Sequence, residues 1–244
     1  MLVSDIIRVL EHIAPPALQE SYDNAGLLTG RRDMEVRGVL VCLDSTEAII
    51  KEAVNRGCNM VVAHHPIIFK GLKSLTGRTY TERAVELAIR EGVAIYAIHT
   101  NLDNVLYCGV NQRIGSRLGL QDMRILAPMR EQLLKLETFV PHSHADMVRE
   151  ALFAAGAGNI GNYDACSFNL SGNGTFRPGA GSNPFLGQEG RIHREEETYI
   201  QVIAPRHREA ALMQALKAAH PYEEVAYQVV PIMNEWQEIG SGLI

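Results

Sequence analysis

Between residues 38 and 99 the chain alternates short, nearly continuous apolar runs with stretches whose apolar positions recur at helical spacing. Gly38–Asp44 (GVLVCLD), Asn59–His65 (NMVVAHH) and Val93–His99 (VAIYAIH) are the apolar runs, and each predicts a strand. Ser45 or Thr46 can cap a helix running to about Gly57, and Tyr80–Glu91 carries Ala84, Leu87 and Ala88 on one helical face. Unbroken apolar strands separated by helices predict strands buried on both faces, in a mostly parallel sheet with helical crossovers. A further helix is predicted from about Val110 to Leu118. The first residues, MLVSDIIRVLEHIAPP, are amphipathic with acids in the first turns, so they read as a helix and not as a signal peptide.

After Pro128 the pattern changes. KLETFVP alternates as a strand, HADMVREALFAAG is a helix stopped by glycine, and DACSFNLSGNGTF is a strand entering a glycine-rich loop. EETYIQVIAP, REAALMQALKAAH and VAYQVVPI follow as strand, helix and strand. This βαββαβ order predicts a ferredoxin-like α+β unit, an antiparallel sheet with two helices on one face. The boundaries read as an α/β domain over 1–130, the second domain over 131–233, and a return to the first over 234–244.

Composition narrows the function classes. With 46% hydrophobic and 21% charged residues the chain reads as an ordinary folded protein. A net charge of −5 argues against a general nucleic-acid binder, and no run approaches the roughly 18 apolar residues of a membrane span. The four cysteines (Cys42, Cys58, Cys108, Cys166) form no CxxC pair, which excludes the usual zinc–thiolate spacings and a disulfide framework. The expected compartment is the cytoplasm.

The three strand runs all end in ionisable residues: Asp44, then His64 and His65, then His99 with Asp103 just beyond. In open α/β sheets, sites form outside the carboxyl ends of the strands. Pro66 stops the strand after His65, and where the chain turns two consecutive imidazoles can reach into one small cavity. Two metal ions about 3.5–4 Å apart would suit that geometry, each histidine on one ion and Asp103 bridging or completing the set. Imidazole with carboxylate fits zinc, iron or manganese better than magnesium or copper(I). The bland readings stay open here: a hydrogen-bonded histidine pair without metal, Asp103 as a turn residue, and His99 as proton shuttle, outer partner or plain core. Gly156–Gly161 matches GxGxxG but follows a helix, so it fails as a dinucleotide fingerprint. His220–Glu224 (HPYEE) reads as a helix cap and interface patch in preference to a ligand set.

Five ordered segments carry a resemblance: SYDNAGLLTG (21–30), VVAHHPIIFKGLK (61–73), AIHTNLDNV (97–105), GNGTFRPGAGSNPFLG (172–187) and HPYEEVAYQVV (220–230). On these the chain resembles the GTP cyclohydrolase 1 type 2 homologue family of dinuclear metal proteins. The resemblance implies His64, His65 and Asp103 as metal ligands, with two divalent ions per subunit in a complete chain. It also implies a cytoplasmic homohexamer and a PII-like insert at 133–233. For function it implies a metal-dependent hydrolase of a nucleotide or related heterocycle. Among the chain's own strand-end residues, His99 is the catalytic candidate for proton transfer. The alternative is a metal-containing regulatory or small-molecule-sensing protein without turnover. In either case the partner is a small molecule, not a nucleic acid or a membrane. The family adds a histidine and a glutamate after the insert, and Gly240–Ile244 reads as the start of that return. The expectation is an incomplete metal domain holding at most about one ion, weakly.

Overall fold

The computed structural model describes all residues 1–244. Its first unit comprises Met1–Pro128 and Gln237–Ile244. The unit starts with α1 (Val3–Ile13), whose first turn is closed by the Leu2 amide donating to Asp5 Oδ2 at 2.8 Å. There follow β1 (Gly26–Thr29), β2 (Val39–Asp44), α2 (Glu47–Asn55), β3 (Met60–His65), α3 (Tyr80–Arg90), β4 (Ala94–Ala97), α4 (Thr100–Asp103), α5 (Val110–Arg117) and β5 (Ile125–Pro128). Thr46 caps α2 by accepting from the Ile49 amide at 3.4 Å, and Thr79 caps α3 by accepting from the Glu82 amide at 3.1 Å. Each hydroxyl satisfies an amide that a helix start leaves free.

The sheet order is β1-β4-β3-β2, with β3 parallel to both β2 and β4 and β1 antiparallel to β4. Val61 and Ile95 pack with Ile50, Ala53, Ala84, Leu87 and Ala88 from α2 and α3. Residues Met60–Ala63 and Ala94–Ala97 are buried throughout, so β3 and β4 are covered on both faces. The strand at β2 departs from that expectation. It lies at the sheet edge, and Val41 and Leu43 are 77% and 59% exposed while Leu40 and Cys42 face the core. Its apolar run signals strand propensity, but only one of its faces has a helix to cover it.

The second unit is Met129–Trp236. It runs β6 (Leu133–Pro141), α6 (Ala145–Ala154), β7 (Phe168–Phe176), β8 (His193–Pro205), α7 (Glu209–Ala219) and β9 (Tyr227–Ile232). The sheet order is β7-β8-β6-β9 and every pair is antiparallel. This is the split βαβ arrangement. Alternate residues Leu134, Leu136 and Val140 of β6 share one core with Val148 and Leu152 of α6 and Leu212 and Leu216 of α7, so both helices cover the same face. The strand β7 extends through Gly172 and Gly174 into the glycine-rich stretch, and the connection to β8 is 177–192. Gly174 lies against the side chain of Glu197, where a Cβ would collide with the carboxylate. That glycine makes room for a neighbour and turns nothing.

The last element, β10 (Gly240–Leu243), pairs antiparallel with β5 in the first unit, with Ser241 opposite Ala127. No helix is long and apolar enough to cross a membrane.

Candidate metal centre

The parallel register sets Asp44 of β2 directly beside His65 of β3. His65 Nδ1 and Asp44 Oδ1 are accordingly 2.8 Å apart. Two residues earlier, Ala63 is level with Ala97 of β4, and His64 Nδ1 donates to the Ile98 carbonyl at 3.0 Å. His99 lies beyond the end of β4 and caps α4, and its Nδ1 is 2.8 Å from Asp23 Oδ1. The three imidazoles pack against one another with ring centroids 5.0, 5.3 and 5.6 Å apart. One nitrogen from each lies within 4.8 Å of the others. Asp103, on the last turn of α4, brings Oδ1 to 3.7 Å from His64 Nε2. His64, His65, His99 and Asp103, the residues singled out at the strand ends, thus share one edge of the first unit's sheet.

Each Nδ1 is engaged by an oxygen: a backbone carbonyl for His64, Asp44 for His65, Asp23 for His99. Nε2 is therefore the nitrogen of each ring left for another partner. Oxygen-held Nδ1–H groups are the usual outer support of metal-ligating histidines. Three imidazole nitrogens with a nearby carboxylate also form a donor set for a borderline divalent cation. The residues present fit a metal ion.

Sequence reasoning missed the frame around this group. Asn101 is fully buried, donating to the Ala14 carbonyl (2.7 Å) and accepting from the His99 amide (2.9 Å). Asn104 donates to the Leu18 carbonyl at 2.9 Å. Asn24 donates to the Ile68 carbonyl at 2.6 Å, tying the SYDNAG turn to the HHPIIF loop. Phe69 from that loop sets its ring edge-on to His99, 6.3 Å between centroids. Asp23 accepts from the Asn24 and Thr100 amides, from the Thr100 hydroxyl and from His99. Burial alone would push its carboxyl pKa up, but the hydrogen bonds from Thr100, His99 and Asn24 outweigh that and hold it below the ordinary value. No local pattern marks Asp23, since its partners lie 76 and 77 residues away.

Other histidines are accounted for within the second unit. His220 donates from Nε2 to the Phe139 carbonyl (2.9 Å) and accepts at Nδ1 from the Tyr222 amide (3.1 Å), so neither nitrogen is free for an ion. The HPYEE motif caps α7 with His220 and anchors the 177–192 loop through Glu223, which accepts from the Asn183 amide at 2.9 Å. His207 stacks on Trp236, and burial lowers its pKa to about 4.

An α/β sheet edge carrying a histidine group able to hold a metal ion defines the class of protein. Residues 1–227 match the Duf34/NIF3 (NGG1p interacting factor 3) family, and the chain belongs to it. It is 44% identical over 240 residues to a Halalkalibacterium halodurans protein named GTP cyclohydrolase 1 type 2 homolog, covering 98% of this chain and 64% of that protein. A Bacillus subtilis protein of the same name is 37% identical with the same coverage. The crystal structure of a Bacillus cereus protein related to NIF3 superposes with a TM-score of 0.86 at 40% identity, over 98% of this chain and 64% of that one. A Staphylococcus aureus structure matches with a TM-score of 0.66 at 29% identity, over 97% and 61%. The chain thus spans about 64% of the length of the curated relatives it matches.

Proposed function

We propose that this chain contributes the N-terminal ligands of a dinuclear divalent-metal site in a hydrolase acting on a nucleotide or related heterocycle. The observation that carries the reading is the oxygen-held Nδ1 of all three clustered imidazoles, with Asp103 3.7 Å from His64 Nε2. His64, His65 and Asp103 would hold metal, with zinc, iron or manganese as the matching ions. A divalent ion there supplies Lewis acidity, acidifying water and polarising the bond under attack. His99 presents its free nitrogen beside the other two rings, so it is the group to accept and return a proton. Asp44 and the Ile98 carbonyl orient His65 and His64. The nucleotide assignment draws on the name of the relatives; the residues themselves specify metal chemistry.

In the same reading residues 131–233 form a PII-like domain inserted into the metal domain. The metal domain itself is built on a mostly parallel sheet, and the protein is a cytoplasmic homohexamer whose partners are small molecules and not nucleic acids. The test is turnover. Full-length protein loaded with zinc or manganese is assayed against nucleoside triphosphates, with His64→Ala as control. Hydrolysis that falls at least ~100-fold in the variant is the expected result, since removing a group that activates water costs at least that much. Tight nucleotide binding without turnover would overturn the enzymatic reading in favour of a sensor.

A further inference from the structure

Asp23 is the most completely enclosed ionisable side chain near the histidine group, with a side-chain exposure of 0%. Its two oxygens are divided between different tasks. Oδ1 accepts from the Asn24 amide at 2.7 Å and meets His99 Nδ1 at 2.8 Å. Oδ2 accepts from the Thr100 amide at 3.1 Å and from the Thr100 hydroxyl. The two backbone amides can only donate, and the Thr100 hydroxyl, which accepts from the Glu20 amide at 3.0 Å, donates to Oδ2, so the carboxylate is built into the frame as an acceptor. An acceptor at 2.8 Å requires the proton of the neutral His99 ring to sit on Nδ1, which leaves the lone pair on Nε2.

The three imidazoles are not equally constrained. His65 is held by Asp44, whose side chain is 57% exposed and free to move into solvent. His64 is held by a backbone carbonyl. His99 is held by a buried carboxylate that three other donors fix in place, with Phe69 edge-on against the ring. Asp23 and His99 come from segments 76 residues apart, so this pairing exists only when the SYDNAG turn and the HTNLD turn are both docked.

We infer that Asp23 is a positioning residue that locks His99 as the Nδ1–H tautomer and turns its Nε2 lone pair toward His64 and His65. Its role at the site rests on the metal-centre reading above, through the use to which the Nε2 lone pair is put. The orientation itself does not. Asp23 touches neither substrate nor ion and acts through His99 alone. Outer partners of this kind typically change metal affinity or activity by about 10–100-fold when removed.

The experiment separates the two claims. Long-range ¹⁵N–¹H correlation spectra of the metal-free protein, labelled in histidine, report the tautomer of each ring without any variant. His99 is expected as a single Nδ1–H tautomer, and an Nε2–H form of His99 in the wild-type protein would overturn the inference. In Asp23→Asn the His99 signals are expected to show a mixture of tautomers while His64, bonded to the Ile98 carbonyl, keeps its Nδ1–H form. Turnover of the zinc-loaded protein is then expected to fall about tenfold or more, with zinc affinity little changed because His99 is not among the ligands. Unchanged His99 signals in a folded Asp23→Asn protein would also overturn it. A wild-type protein that shows the expected tautomer but binds no zinc supports the positioning role and refutes the metal reading.

Discussion

Gly30→Ala is expected to destabilise the first unit by about 3 kcal/mol or more, roughly twice the cost of the same change at Gly57. Both glycines are left-handed, with φ of +87° and +74°, and that conformation costs an L-residue roughly 1–2 kcal/mol. They differ in what a Cβ would meet. At Gly57 nothing lies within 4 Å, whereas at Gly30 a Cβ would sit 2.7 Å from Ala94 Cβ and 2.9 Å from Ala94 Cα. Those atoms belong to β4, so the collision pushes β1 off the strand that leads to His99. Chemical denaturation of the two variants separates conformational strain from collision. Equal losses at the two positions would mean that β1 is not seated on β4 as described.

His64→Ala and His65→Ala are each expected to weaken zinc binding by more than ~100-fold, beyond what loss of an outer partner costs. Each change removes an imidazole whose Nδ1 is already oriented by the fold, so the protein loses a donor without gaining freedom elsewhere. Both side chains are partly exposed, at 20% and 47%, so the fold itself should tolerate the change. His12→Ala, on the exposed face of α1, is the matched control and is expected to bind zinc as the wild type does. Competition with a chromophoric chelator measures all three. Loss confined to one of the two histidines would show that the pair does not act as a unit.

Much of this architecture was legible because burial writes itself into sequence at short range. The unbroken apolar runs of β3 and β4 announce strands covered on both faces, and the alternation of KLETFVP announces one covered on a single face. The same rule misreads β2, where Val41 and Leu43 are apolar yet exposed at the sheet edge. The four-residue β1 escapes it altogether, because a strand that short has no period to detect and pairs antiparallel only through β4. At the candidate site, His64, His65, His99 and Asp103 could be named because strand ends gather at one sheet edge. Asp23, Asn101 and Asn104 could not, since each acts through a contact about 76 to 87 residues away in the chain. An Asp in a polar turn carries the same local signature whether it faces solvent or supports a histidine.

A divalent ion is proposed to be held at the edge formed by β3 and α4. Anomalous diffraction from crystals grown with zinc, collected on either side of the zinc absorption edge, tests it most directly. The expected result is a peak about 2.0–2.2 Å from a free imidazole nitrogen of His64 or His65 and from an Asp103 oxygen, the distances zinc takes to such donors. A peak at His220 or in the second unit alone, with none at His64 and His65, would contradict it.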